Sequence, residues 1–165
     1  MPFTQHLQRI RLWLALFMSG LVLSGATAFP LQTEVHWLAR HMERILVGTG
    51  GTSFSLVMWL DRVDLALTAT GRSFPFLSYG TDWLAFAHLV IAVVFIGPYI
   101  DPVKNKWVIT FGLIACAAVI PLALVAGAVR GIPWWWRMID CSFGIVGSIP
   151  LLICRKSIMY LEGSP

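Results

Sequence analysis

WLAFAHLVIAVVFIGPYI (residues 83–100), DPVKNK (101–106) and WVITFGLIACAAVIPLALVAGAV (107–129) follow one another without a gap. The flanking stretches, 18 and 23 residues long, contain no Asp, Glu, Lys or Arg. At about 1.5 Å per residue, each is long enough as a helix to cross a hydrocarbon layer of roughly 30 Å. Two further apolar stretches, Leu12 to Phe29 and Met138 to Cys154, have the same character. The pattern of alternating ten-residue segments that marks a membrane barrel is absent, so helices are the way to satisfy these backbones in lipid. The sequence predicts an all-α integral membrane protein, a four-helix transmembrane bundle.

Composition agrees. Of the 165 residues, 58% are hydrophobic and 12% charged, against about 45–50% and 25% in soluble domains. Eight tryptophans and ten phenylalanines suit a bilayer interface. This argues against a disordered chain, a soluble enzyme domain and a disulfide-stapled secreted module.

The short 101–106 loop also sets a direction. With the N-terminus inside, Arg9, Arg11, Lys104, Lys106, Arg155 and Lys156 lie in the cytoplasm, offset by Asp101 and Glu162. Outside, Arg40, Arg44, Arg62, Arg72, Arg130 and Arg137 are matched by Glu34, Glu43, Asp61, Asp64, Asp82 and Asp140. The formal charge of +4 then falls on one side, as the positive-inside rule requires, and gives no reason to expect nucleic acid as a partner. Both termini are expected in the cytoplasm, and a bacterial cytoplasmic membrane is the expected location. The first stretch also imitates a secretory signal, with Arg9 and Arg11 ahead of an apolar run and Ala26-Thr27-Ala28 behind it. Its continuation to Phe29 favours a retained signal anchor.

The expected organisation is a cytoplasmic N-terminus and first helix over 1–29, an extracytoplasmic segment over 30–82, three spans within 83–154 (83–100, 107–129 and 138–154), and a cytoplasmic tail over 155–165. In the extracytoplasmic segment, Val35, Leu38, Met42 and Ile45 repeat at helical spacing, as do Leu56, Leu60, Val63 and Leu67. Asp61, Arg62, Asp64 and Thr68 fall off the second stripe. Two amphipathic helices are predicted, forming a hairpin, with Gly48-Thr49-Gly50-Gly51-Thr52-Ser53 as the breaker and Ser53 or Ser55 as a cap. The glycine-rich turn lacks the Lys-Ser/Thr ending of a phosphate loop. His36 and His41 are five residues apart, about 140° around a helix, the wrong spacing for a shared ion; no metal site is expected.

Other chemistry is excluded by motif. There is no Cys-x-x-Cys, and Cys116, Cys141 and Cys154 fall at depths too different for a disulfide. They read as packing residues. Only His88 among the histidines is intramembrane, so a bis-histidine haem lacks its second ligand. No Gly-x-Ser-x-Gly, His-Glu-x-x-His or paired-carboxylate motif occurs, and no cofactor is expected. Pro98, Pro121 and Pro150 interrupt spans and are read as kinks.

Ionisable groups within spans are functional candidates by default. His88 lies about 9 Å into the second span, and Asp140 in the first turn of the fourth. Thr81, Ala85, His88 and Ala92 share one face, and Asp140, Gly144, Gly147 and Ser148 another; small residues place both faces inward. The candidate ligand-binding set is Asp82, His88, Arg130, Trp134, Arg137 and Asp140, ringed by Tyr79, Trp83, Trp135 and Trp136. A purely structural alternative makes Arg137 and Asp140 an interfacial ion pair and bonds His88 to a backbone carbonyl. Three functions compete. The leading one is a non-enzymatic binding or accessory protein for a lipid, a lipophilic ligand or a partner membrane subunit, the last including a second copy. The others are an enzyme with His88 and Asp140 as a catalytic proton-transfer pair, and a proton-linked transporter component.

Overall fold

The computed structural model describes residues 3–46 and 52–163, and these form helices and turns with no strand among them. In chain order the helices are α1 (Phe3–Ala28), α2 (Leu31–Leu46), α3 (Thr52–Ser73), α4 (Tyr79–Val94), α5 (Ile96–Ile100), α6 (Lys106–Val129) and α7 (Trp134–Glu162), with a 3-10 turn over Pro75–Ser78 ahead of α4. Four stretches are long and apolar enough to cross a membrane: α1, the run Pro75–Ile100, α6 and α7. They coincide with the four expected from hydropathy, and each is longer. α7 in particular continues past Cys154 through Arg155 and Lys156 to Glu162. The reason is packing: Leu151, Cys154, Ile158 and Leu161 keep one buried face at helical spacing beyond the apolar run.

The chain divides into two compact units, one made of Met1–Leu21 with Ile91–Pro165 and the other of Val22–Val90; the division falls inside α1 and inside α4.

In the first unit, Ile10 and Leu14 of α1, Phe95, Ile109 of α6, and Leu151, Cys154, Ile158 and Leu161 of α7 form one buried cluster. Phe17 and Phe95 meet with ring centroids 4.8 Å apart. Gly112 makes this possible, since a β-carbon there would lie 2.7 Å from Leu151 Cδ1 and 2.8 Å from Phe95 Cζ. A β-carbon on Gly144 of α7 would collide with the Cys116 carbonyl oxygen of α6, so those two backbones are in close approach. The turn between α6 and α7 is a Schellman motif: Gly131 is left-handed at φ 70°, its N–H donates to Ala128 O (3.1 Å), and Ile132 N–H donates to Gly127 O (2.9 Å). Pro133 then stands at the N-cap of α7.

The apolar run 83–100 is not one helix. Proline has no N–H, and its ring excludes the carbonyl four residues earlier. Pro98 therefore ends α4 at Val94, and the helix restarts as α5 after Phe95, whose N–H turns back to Ala92 O at 3.2 Å. Asn105 closes the following turn, its Nδ2 donating to Gly97 O (3.1 Å) and Asp101 O (2.9 Å). Pro121 and Pro150, in contrast, sit within unbroken α6 and α7.

The second unit contains α2 packed on α3. Gln32 lies against Gly71, and His36 Nδ1 is 2.9 Å from Asp64 Oδ2, so the two helices run antiparallel. Ala39 and Leu60 are buried between flanking Val35, Leu38, Met42, Leu56, Val63 and Leu67, the two expected stripes; only Ile45, 67% exposed, leaves its stripe. Asp64 and Thr68, expected off the stripe, are half-buried at its edge, Asp64 drawn there by His36. The breaker Gly48-Thr49-Gly50-Gly51 and the side chains of Thr52 and Ser53 lie outside the described residues. Ser55 stands within the first turn of α3, past the cap position. Elsewhere in this unit the end of α1 meets α4, where a β-carbon on Gly25 would lie 2.8 Å from Ala85 O.

Candidate functional site

The six candidate residues divide between the two units, Asp82 and His88 in one and Arg130, Trp134, Arg137 and Asp140 in the other.

Asp82 and His88 both stand on α4, six residues apart, and no hydrogen bond joins them. His88 Nδ1 lies 2.8 Å from Leu84 O, one turn back in the same helix. A hydrogen on Nδ1 satisfies that contact. The inward face expected for α4 is present, with Ala85 and Ala92 buried and Thr81 and His88 half-buried. Thr81 satisfies its own hydroxyl by donating to Ser78 O at 2.6 Å.

Asp82 has different neighbours. A hollow of about 330 Å³ is lined by Phe29, Tyr79, Asp82, Trp83 and Phe86. Tyr79, Trp83 and Phe86 follow one another at helical spacing, and their rings form an edge-to-face series with centroids 6.0 Å and 6.1 Å apart. Trp83 remains 57% exposed, so the series is an open wall and not a packed core. The Asp82 carboxylate has no hydrogen bond or ion pair among the described residues. Tyr79 and Trp83 are legible in the sequence as neighbours of Asp82, and Phe86 could have been added from its place one turn beyond Trp83. Phe29 could not, because it comes from the far side of α2 and α3 in the chain. A second hollow of about 230 Å³ shares Phe29 and is lined by uncharged polar groups, among them Gln32, Thr33, Ser78 and Thr81.

In the other unit, Arg137 turns away from Asp140. Its stem lies over Gly127 of α6, where a β-carbon would be 2.6 Å from Arg137 Cδ, and its Nη1 donates to Leu124 O at 3.2 Å. The ion pair of the structural alternative is not formed: side chains on a helix lean toward its N-terminus, and the notch left by Gly127 gives the Arg137 stem a bed there. Asp140 is half-buried without an ion pair among the described residues. Arg130 is exposed at the end of α6, and Trp134 is exposed at the start of α7. Trp135 and Trp136 are half-buried, edge to face at 5.7 Å. Gly144 is buried against α6 as expected, while Ser148 donates to Ile145 O in its own helix at 2.7 Å.

The cations expected inside gather at one end of this unit. Lys104 lies 3.5 Å from Asp101, and Lys106 lies 2.8 Å from Glu162. Arg11 donates to Tyr99 O at 3.3 Å with its guanidinium over the Tyr99 ring. Both acidic groups at that end are thus taken by lysines, which leaves Arg9, Arg11, Arg155 and Lys156 without an acidic partner among the described residues.

The α2 histidines serve separate partners. His36 meets Asp64, whereas His41 meets Trp37 O at 2.8 Å and stacks on the Trp37 ring at 3.9 Å. Among the described residues no group of three His, Cys, Asp or Glu side chains converges. The three cysteines are free thiols.

No family model, no curated protein and no solved structure matches the chain.

Proposed function

We propose that this is a multi-pass membrane protein with both termini in the cytoplasm that binds a lipophilic ligand at the extracytoplasmic end of its second span. Membrane residence is supported by the four long apolar helices and by large side chains such as Leu12, Trp107, Leu122 and Val129 that stand exposed along them. Contiguous exposure of this kind is unfavourable in water and ordinary in lipid. The orientation is supported by Arg9, Arg11, Arg155 and Lys156, which gather at one end of the first unit without an acidic partner among the described residues.

The observation that carries the binding reading is the aromatic hollow beside Asp82. The wall is aromatic and almost wholly apolar, as a lipophilic ligand requires, and about 330 Å³ is at the lower end of the range of about 300–1,000 Å³ for small-molecule sites. The test is native mass spectrometry of the protein released from mild detergent, beside Trp83→Ala, Phe86→Ala and, as a control far from the hollow in sequence, Trp107→Ala. A bound mass retained by the wild type and Trp107→Ala but lost from the two hollow variants supports the reading. An identical mass on all four proteins, or none on any, sinks it.

A further inference from the structure

Two hollows adjoin in the second unit, and their walls differ. The aromatic one is almost wholly apolar, whereas the wall of the one of about 230 Å³ is polar and apolar in similar measure, with Gln32, Thr33, Ser78 and Thr81 set beside Phe29 and Leu67. Phe29 belongs to both walls, and Ser78 and Thr81 stand one residue ahead of Tyr79 and Asp82, so the two spaces lie side by side at the start of α4. No Lys, Arg, His, Asp or Glu lines the polar space.

Its hydrogen-bonding capacity is open. The Thr81 hydroxyl has spent its hydrogen on Ser78 O at 2.6 Å and keeps lone pairs that can accept. The side chains of Gln32, Thr33 and Ser78 make no hydrogen bond among the described residues. They offer an amide with both donors and an acceptor, and two hydroxyls that donate or accept. Gln32 is seated by its surroundings: its Oε1 would lie 3.0 Å from a β-carbon on Gly71, so the amide fits against α3 because position 71 has no side chain.

Taking the aromatic hollow as the seat of a lipophilic ligand, as proposed for this protein, the polar space beside it selects what that ligand carries at its end. A charged head would leave water for a wall with no opposite charge. A hydrocarbon end would strip water from four polar side chains and return no hydrogen bond. A head that only accepts would leave the Thr81 oxygen and the Gln32 carbonyl without a donor. Hydroxyl groups both donate and accept without carrying charge. We infer that the hollow of Gln32, Thr33, Ser78 and Thr81 takes the uncharged, hydroxylated head of an amphiphile whose apolar body lies in the aromatic hollow, across Phe29.

The test is a competition on the full-length protein in an amine-oxide detergent, which brings no hydroxyl of its own. Monolauroylglycerol, methyl laurate, laurate and dodecyltrimethylammonium, four heads on tails of similar length, are added together in equal amounts. The protein is recovered by gel filtration, and each bound compound is quantified by mass spectrometry relative to protein-free micelles. The expected result is enrichment of monolauroylglycerol over methyl laurate by about fivefold or more, the scale of one or two net hydrogen bonds. Gln32→Leu and Thr33→Val should bring that ratio toward one, while Trp83→Ala should lower all four compounds. Misfolding lowers every compound alike, so a change in the ratio reads the head alone. A wild-type ratio near one, with both compounds lost in Trp83→Ala, overturns the hydroxylated head and leaves the lipophilic-ligand reading standing. Preference for laurate or for the ammonium overturns the uncharged class, and a ratio that persists in both Gln32→Leu and Thr33→Val overturns the assignment of the head to this hollow. Enrichment of none of the four overturns the inference, and the lipophilic-ligand reading falls with it if the protein released in native mass spectrometry also carries no ligand.

Discussion

Glycines decide several contacts, and they do so in two physically different ways. Gly131 is required by its backbone: at φ 70° a β-carbon costs roughly 1 kcal/mol or more. Gly131→Ala is expected to lower stability by about that amount in chemical unfolding followed by circular dichroism. Gly112 and Gly144 are required by their neighbours. At Gly112 the obstacles are the ends of the Leu151 and Phe95 side chains, which can shift, whereas at Gly144 the obstacle is the Cys116 carbonyl, which moves only if α6 and α7 part. Both alanine variants overpack, at a typical cost of about 1–3 kcal/mol, and Gly144→Ala should be the worse. A reversed order in the unfolding midpoints would contradict the close approach of those two backbones. The His36–Asp64 contact belongs at this scale too. With His36 48% exposed on its side chain, a double-mutant cycle should give a coupling of no more than about 1 kcal/mol.

At the scale of elements, Pro98 separates α4 from α5 by removing one donor and excluding one carbonyl. Pro98→Ala restores the donor, and the expected outcome is one helix from Tyr79 to Ile100, read from backbone carbon chemical shifts of the labelled protein. The existence and type of nearly every long element were legible in the sequence, because hydropathy over about twenty residues and the 3.6-residue period are both strong signals. The ends were less so. α7 runs through Arg155 and Lys156 because the face carrying Ile158 and Leu161 stays packed, and a composition window registers the charges while missing the face. Nor was the difference between Pro98 and the other two interrupting prolines legible. The candidate residues were found by type and depth, and type alone could not foretell that Arg137 would choose the Gly127 notch over Asp140. The aromatic wall was half legible: its α4 members share a helix, while Phe29 joins them only through the fold.

For the whole molecule the distribution of cations makes the sharpest prediction. If Lys104 and Lys106 help hold the 101–106 loop inside, replacing both by glutamine should weaken the orientation, while replacing Arg62 and Arg72 should not. A fluorescent reporter fused after Pro165, bright only in the cytoplasm, measures the outcome. Loss of signal from the Arg62/Arg72 variant and not from the lysine variant would reverse the proposed topology.

The first unit is built from two segments far apart in the sequence, and this has a consequence for the order of its assembly. Ile10 and Leu14 are made long before their buried neighbours Leu151, Cys154 and Ile158; the Cys154 thiol reaches the Ile10 carbonyl across 144 positions at 3.6 Å. Until α7 leaves the ribosome, the opening turns of α1 lack the surface they finally pack on. A nascent chain stopped after α6 should therefore be cleared by quality-control proteases faster than one stopped after Glu162, and pulse-chase half-lives of the two would measure how long the newborn protein stays unfinished.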